Sequence, residues 1–350
     1  MDKPKRFLEC LLPTTICNLE CPYCYIIQEH RRKMEKVELK YSPEHIAKAL
    51  QTERLGGKCW ISICGAGETL IQDEAIDIVQ LLLKEGHYVN ITTNGTLDKQ
   101  FDKLIERCNG NLNHLHIAFS WHFTELKKRN LTDRFFSNIV KIKNAGASIL
   151  LQINLCDEYL PYIDEIKRIS MEKLGAYPQV ALTRDESCNP MKIYSSLSDE
   201  EYYKIGKTFD SPLFDFTFKN FNVKRNEYCY AGEWSGVLNL QTGWLSKCYA
   251  NCEGQNIFEN INEPIKFSAV GRYCQNCYCI NSSHFMSLGV IPEIETPTYA
   301  QLRNRPEAHW YTPEMETFLN FKLNESNKEH SKVYMELKEC YRNIRRKFNI

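Results

Sequence analysis

Three cysteines stand close together near the start of the chain: Cys17, Cys21 and Cys24, within the run PTTICNLECPYCY. Thiolates at these spacings can hold three irons of a cubane cluster and leave the fourth iron without a protein ligand, open to a reactant. A structural zinc would ask instead for paired Cys-x-x-Cys elements and a closed set of four ligands. A second group follows much later, where Cys229, Cys248, Cys252, Cys274, Cys277 and Cys279 account for six of the 16 cysteines. Six cysteines so close demand metal or disulfides. The opening residues, MDKPKRFLEC, have neither the apolar segment nor the small-residue cleavage site of an export signal. The expectation is a cytoplasmic protein, in whose reducing surroundings clustered cysteines bind metal more often than they pair. Cys10, Cys59, Cys64, Cys108, Cys156, Cys188 and Cys340 are scattered, and small core fillers by default.

Positioning such loops takes a scaffold that presents strand ends side by side, and the flanking sequence offers one. Short β-branched runs alternate with amphipathic segments, the pattern of βα units around a parallel sheet. The strands predicted are Phe7–Leu12, Cys59–Cys64, Tyr88–Thr93, Leu115–Ser120, Ser148–Leu155 and Gln179–Thr183. Helix starts are marked by Ser42 before Pro43, by Asp73, by Thr132, and by a capping box of Ser198 with Glu201. Six units fall short of the eight that close a TIM barrel, so the expected fold is α/β, a partial (β/α)6 TIM-like barrel over residues 1–210. Residues 211–312 change to aromatics, Asn, Gly and cysteines and read as a small metal-stapled domain; 313–350 read as terminal helices. Lys+Arg and Asp+Glu both number 44, which argues against nucleic acid as a general ligand, and no apolar run is long enough to span a bilayer.

With the strands in place, the chain resembles the radical S-adenosylmethionine (SAM) superfamily. The resemblance covers about residues 7–210 and rests first on Cys17-x-x-x-Cys21-x-x-Cys24 with an aromatic, Tyr23, before the last cysteine. It implies a catalytic [4Fe–4S] cluster whose open iron is chelated by SAM, and a 5′-deoxyadenosyl radical on reduction. Three stretches at successive strand ends are similar to the family's SAM-binding motifs. Gly65-Ala66-Gly67-Glu68 resembles its Gly-Gly-Glu, implying that the backbone edge and Glu68 receive the SAM ammonium. Thr93 and Asn94, within Thr92-Thr93-Asn94-Gly95-Thr96, and Ser120 are implied against the ribose and carboxylate, with Arg129 as the carboxylate-binding arginine. The fifth strand should flank the adenine. Each stretch alone is ordinary turn punctuation; their joint order carries the resemblance.

The spacing Cys229, Gly243, Cys248 is similar to the opening of SPASM and twitch extensions, which add auxiliary [4Fe–4S] clusters to this core. A full SPASM extension needs more cysteines than the chain offers, so one auxiliary cluster is expected. Its ligands would be Cys229 and Cys248 with two of Cys274, Cys277 and Cys279. Zinc tetrathiolate remains the alternative there. His284 could stand in for a cysteine. An external one-electron donor such as flavodoxin or ferredoxin is implied.

Substrate groups should come from the last strand ends: His122, Cys156, Asp157, Glu158, Arg184, Asp185 and Cys188, although charges there also serve as helix caps. Cys156 and Cys188 would lie near the barrel mouth, where a thiol could return a hydrogen atom; filler roles are the plainer reading. Related enzymes act either on small polyols and sugars or on peptides. The first strand starts at about Phe7, leaving no room for a leader-peptide domain, so the expected reaction is dehydrogenation of a small hydroxylated substrate. A peptide-modifying maturase, an epimerase and a non-catalytic iron–sulfur protein are the alternatives.

Overall fold

The computed structural model describes residues 1–348 except Tyr273, Gln275 and Cys277, with the backbone alone for 341–348. Cys277, an expected cluster ligand, therefore lies outside the described residues. The six predicted strands all form, two of them with ends displaced by one residue. They are β1 (Phe7–Leu12), β2 (Trp60–Gly65), β3 (Tyr88–Thr93), β4 (Leu115–Ser120), β5 (Ser148–Leu155) and β6 (Gln179–Leu182). Each pairs in parallel with the next. Most residues of β1 to β3 are buried, which is why they read as nearly continuous apolar runs rather than alternating ones.

Helices cross back over the sheet between strands and bury one stripe each. The helix Glu74–Lys84 sinks Ala75, Ile76, Ile78, Val79, Leu82 and Leu83, and each large aliphatic side chain contributes roughly 1.5–3 kcal/mol of hydrophobic stabilisation. Ser42 caps the helix Pro43–Ala49 by accepting from His45 N, and the capping box of Ser198 and Glu201 is present. The Asp73 side chain does not cap.

The region after residue 210 joins the barrel sheet. Strand β7 (Arg184–Asp185) pairs with β8 (Lys192–Ile193) in a small sheet of their own, but β9 (Ser235–Asn239) lies parallel against the free side of β1. The antiparallel strands β10 (Trp244–Cys248) and β11 (Asn251–Asn256) then extend a nine-stranded sheet of order β11-β10-β9-β1-β2-β3-β4-β5-β6. Beyond β6, Ser211 at the start of helix Pro212–Asn220 accepts from Val180 N at 2.9 Å and donates to Gln179 at 2.7 Å. The terminal helices Pro313–Asn320 and Lys332–Phe348 form as expected. The first lies against the N-terminal strand ends, with Phe318 stacked on Tyr88 at 3.6 Å and Thr312 N donating to Ser148.

Inside the barrel the register aligns Glu9, Ser62, Asn90 and His116 in one layer. They form a buried ladder: Ser62 Oγ donates to Glu9 at 2.8 Å, Asn90 donates to Ser62 at 3.0 Å, and Asn90 Oδ1 is 2.7 Å from His116 Nδ1. Burial pushes the Glu9 carboxyl up to about 7. No described helix is long and apolar enough to cross a membrane.

Candidate active site

A cavity of about 400 Å³ opens at the C-terminal ends of the strands, and every barrel strand or the loop just after it contributes. Cys17, Cys21 and Cys24 all line it, as do Gly65, Ala66 and Gly67 after β2 and Ser120 at the end of β4. The two loops are zipped together by backbone bonds: Ala66 N to Leu12 O at 3.2 Å, Gly67 N to Thr14 O at 2.7 Å, and Glu68 N to Ile16 O at 2.9 Å. This close approach explains the second glycine. A Cβ at Gly67 would collide with Ile16 O.

The cysteines fit a cluster by their surroundings. Cys17 Sγ accepts from Leu19 N at 3.4 Å and from Asn94 Nδ2 at 3.8 Å, donors that suit a thiolate. Burial raises the Cys17 and Cys21 thiols above their ordinary range, a penalty that a coordinated cation removes. Arg32, which the sequence reading missed, lines the same cavity; it donates to Cys17 O at 2.7 Å and to Glu20 at 2.9 Å. Nothing in its spacing marks it, because it reaches back over the cysteine loop.

Four residues expected against SAM do not line the cavity. Glu68 is 2% exposed, and its carboxylate accepts from Leu70 N, Thr93 Oγ1 and Asn94 N at 3.0, 2.6 and 2.7 Å. Thr93 and Asn94 are turned inward by these bonds. Glu68 thus ties the loop after β2 to the loop after β3. Glu68→Gln should lower stability by about 1–3 kcal/mol, because an amide would set a donor against one of these three donors. Thermal unfolding checks it; an unchanged Tm alongside much weaker SAM binding would return Glu68 to the ammonium. Arg129 is likewise displaced: it pairs at the surface with Glu125 at 2.9 Å and Glu20 at 3.6 Å.

Tyr23 and His122 do line the cavity. Tyr159 OH accepts from Phe123 N at 2.9 Å and lies 2.7 Å from Tyr23 OH, which lies 2.7 Å from His122 Nδ1. The Tyr23 hydroxyl also reaches the Cys21 sulfur, so it joins the cysteine loop to His122 and Tyr159. Burial brings His122 down to about 4, so it is neutral near pH 7. Arg184 lines the cavity too, but Cys156, Asp157, Glu158 and Asp185 face a separate cavity of about 430 Å³. Cys188 lines neither and lies 3.3 Å from Asp185 Oδ2.

Cys229, Cys248, Cys274 and Cys279 line one pocket of about 50 Å³ walled by Val270, Phe285, Val290 and Ile291. Burial, and then their mutual proximity, raises the thiols of Cys229 and Cys279. Cys252 is exposed on β11 and is not part of this lining. Among the described residues no three potential ligands converge tightly enough for a single ion. His284 is not in the pocket; it lines the main cavity, with Nδ1 2.5 Å from Asn281 Oδ1. Ile280 and Asn281 line both spaces and form their common wall. Arg184 holds that wall by donating to Ile280 O at 3.0 Å.

Residues 11–155 match the Radical SAM superfamily. No curated protein matches the chain. Among solved structures it is similar to Streptococcus suis SuiB bound to S-adenosylmethionine, at 17% identity and TM-score 0.52 over 74% of this chain. The match spans only 64% of that SuiB chain. It is also similar to SuiB bound to the precursor peptide SuiA, at 15% identity and TM-score 0.50, over 80% of this chain and 66% of the other. For a histidine-tagged form of anSMEcpe with bound AdoMet the values are 17% and 0.51, over 73% of this chain and 76% of the other. At these identities the likeness concerns the fold.

Proposed function

The chain carries a radical SAM domain across residues 11–155, and from that premise we propose that it dehydrogenates a small hydroxylated substrate with the help of an auxiliary iron–sulfur cluster. The family's cofactors are a [4Fe–4S] cluster and SAM, which together supply a 5′-deoxyadenosyl radical able to take a hydrogen atom. Cys17, Cys21 and Cys24 would hold the catalytic cluster, the Gly65–Gly67 backbone and Ser120 would cradle SAM, and Cys229, Cys248, Cys274 and Cys279 would hold the auxiliary cluster. The observation that carries this reading is the wall of Ile280 and Asn281 common to the two cysteine-lined spaces. A substrate in the main cavity would lie beside a site able to accept the electron left after hydrogen abstraction.

The lining away from the cysteines favours hydroxyl groups. Gln152, Asn154, Thr217 and Ser283 offer hydrogen bonds, and the Thr183 hydroxyl lies buried beside them. Neither Cys156 nor Cys188 lines that cavity. Cys156→Ala and Cys188→Ala are therefore expected to keep turning over, giving product two hydrogens lighter than substrate by mass spectrometry. A product of unchanged mass carrying one solvent deuterium would make the enzyme an epimerase.

A peptide substrate is the second reading, favoured by the likeness to SuiB, which was solved with a precursor peptide. Anaerobic incubation with SAM and dithionite should release 5′-deoxyadenosine. If small-molecule fractions of a cell extract accelerate that release and peptide fractions do not, the first reading stands; the reverse favours the second. No release under either condition would leave a non-catalytic protein.

A further inference from the structure

Asn94 is 3% exposed, and its carboxamide belongs to a closed ring of hydrogen bonds beside the cysteine loop. Thr96 Oγ1 donates to Asn94 Oδ1 at 2.7 Å, Asn94 Nδ2 donates to Asn18 Oδ1 at 2.8 Å, and Asn18 Nδ2 donates back to Thr96 Oγ1 at 2.8 Å. Thr96 N also donates to Asn94 Oδ1, at 3.2 Å. Two donors on that oxygen fix which end of the amide is nitrogen. An amide nitrogen carries two hydrogens. One goes to Asn18, and Nδ2 also lies within reach of Cys17 Sγ, at 3.8 Å.

We propose that the Asn18–Asn94–Thr96 ring sets the reduction potential of the cluster held by Cys17, Cys21 and Cys24, with Asn94 as a positioning residue whose N–H stabilises the reduced state. This rests on Cys17 being a cluster ligand. Reduction takes one electron from an external donor of the flavodoxin or ferredoxin class and adds one negative charge to the iron–thiolate unit. A donor to sulfur stabilises the more negative state and so raises the potential. The effect is large where water is excluded, and Asn94 and Thr96 are both 3% exposed. The ring matters because it leaves the amide no other orientation. Leu19 N makes a second bond to the same sulfur at 3.4 Å, and being main chain it persists in every side-chain variant.

The test is a redox titration of the anaerobically reconstituted full chain, followed by the electron paramagnetic resonance signal that changes when SAM is added. That response marks the cluster with an open iron. For Asn94→Ala the ratio of reduced to oxidised cluster at fixed potential should fall about tenfold, a shift of about 59 mV to more negative potential. Asn94→Asp should fall further, since a carboxylate would face the sulfur, and Thr96→Val should fall less, because the amide stays but loses its lock. Iron content should match the unaltered protein. The proposal is overturned if all three variants titrate at the original midpoint. It is equally overturned if all three lose the SAM-responsive cluster, which would make the ring a folding element of the loop. Failure of the premise looks different: the SAM-responsive signal would survive replacement of Cys17, Cys21 and Cys24.

Discussion

Replacing Cys17, Cys21 and Cys24 together with alanine is expected to abolish release of 5′-deoxyadenosine and to leave about four irons per chain where the unaltered protein holds about eight. The loss should be complete, because the three thiols line the only wall of the main cavity that offers clustered soft ligands among the described residues. The remaining irons should belong to the pocket of Cys229, Cys248, Cys274 and Cys279, whose nearest approach to the main cavity is the wall of Ile280 and Asn281. Replacing Cys229 and Cys248 instead should reverse the pattern: SAM cleavage persists and product formation fails. Iron analysis and chromatography of the nucleoside products decide both arms. Zinc without iron in the first variant would remove the auxiliary cluster and, with it, the proposed electron acceptor.

What could be read from the sequence follows from how far apart the cooperating residues stand. The six strands were legible because parallel pairing buries both faces, and a run such as Tyr88–Thr93 has few other uses. The cysteine loop stood out because its three thiols are neighbours in the chain, and the fold brings all three to the main cavity. Arg32 and the wall of Ile280 and Asn281 were not, since Arg32 folds back onto Cys17 O and the wall arrives from the far end of the chain. The pairing of β9 with β1 was hidden for the same reason: nothing in Ser235–Asn239 names a partner more than two hundred residues earlier. For Glu68 and Arg129 the sequence says where each stands but not which way it turns. Motif position says which strand end a charge occupies, but Glu68 turns to three donors beneath it, and Arg129 turns outward to Glu125 and Glu20.

Gly67→Ala should cost SAM affinity at least tenfold, although the change adds a single methyl group. The reason lies in the backbone rather than in the cofactor. A Cβ at this position collides with Ile16 O and meets the carbonyl carbons of Ile16 and Thr15 at 2.7 Å, so the two loops must separate. Separation strains three main-chain bonds, from Ala66, Gly67 and Glu68 to Leu12, Thr14 and Ile16. At about 0.5–1.5 kcal/mol each, their loss amounts to roughly 1.5–4.5 kcal/mol, against the 1.4 kcal/mol that a tenfold change requires. Gly65→Ala is the control. Its Cβ would meet Thr69 Cα at 3.1 Å and Thr69 N at 3.2 Å, contacts that a small shift relieves, so a milder loss is expected. Ala66 already carries a methyl group in the same loop and lines the cavity without conflict, which is why the sequence keeps glycine on either side of it but not there. Calorimetric titration with SAM, after iron analysis has confirmed about eight irons per chain and so that both sites are loaded, separates the two variants. Equal affinities for Gly65→Ala and Gly67→Ala would mean that the loop after β2 does not shape the cofactor site through its contact with the cysteine loop.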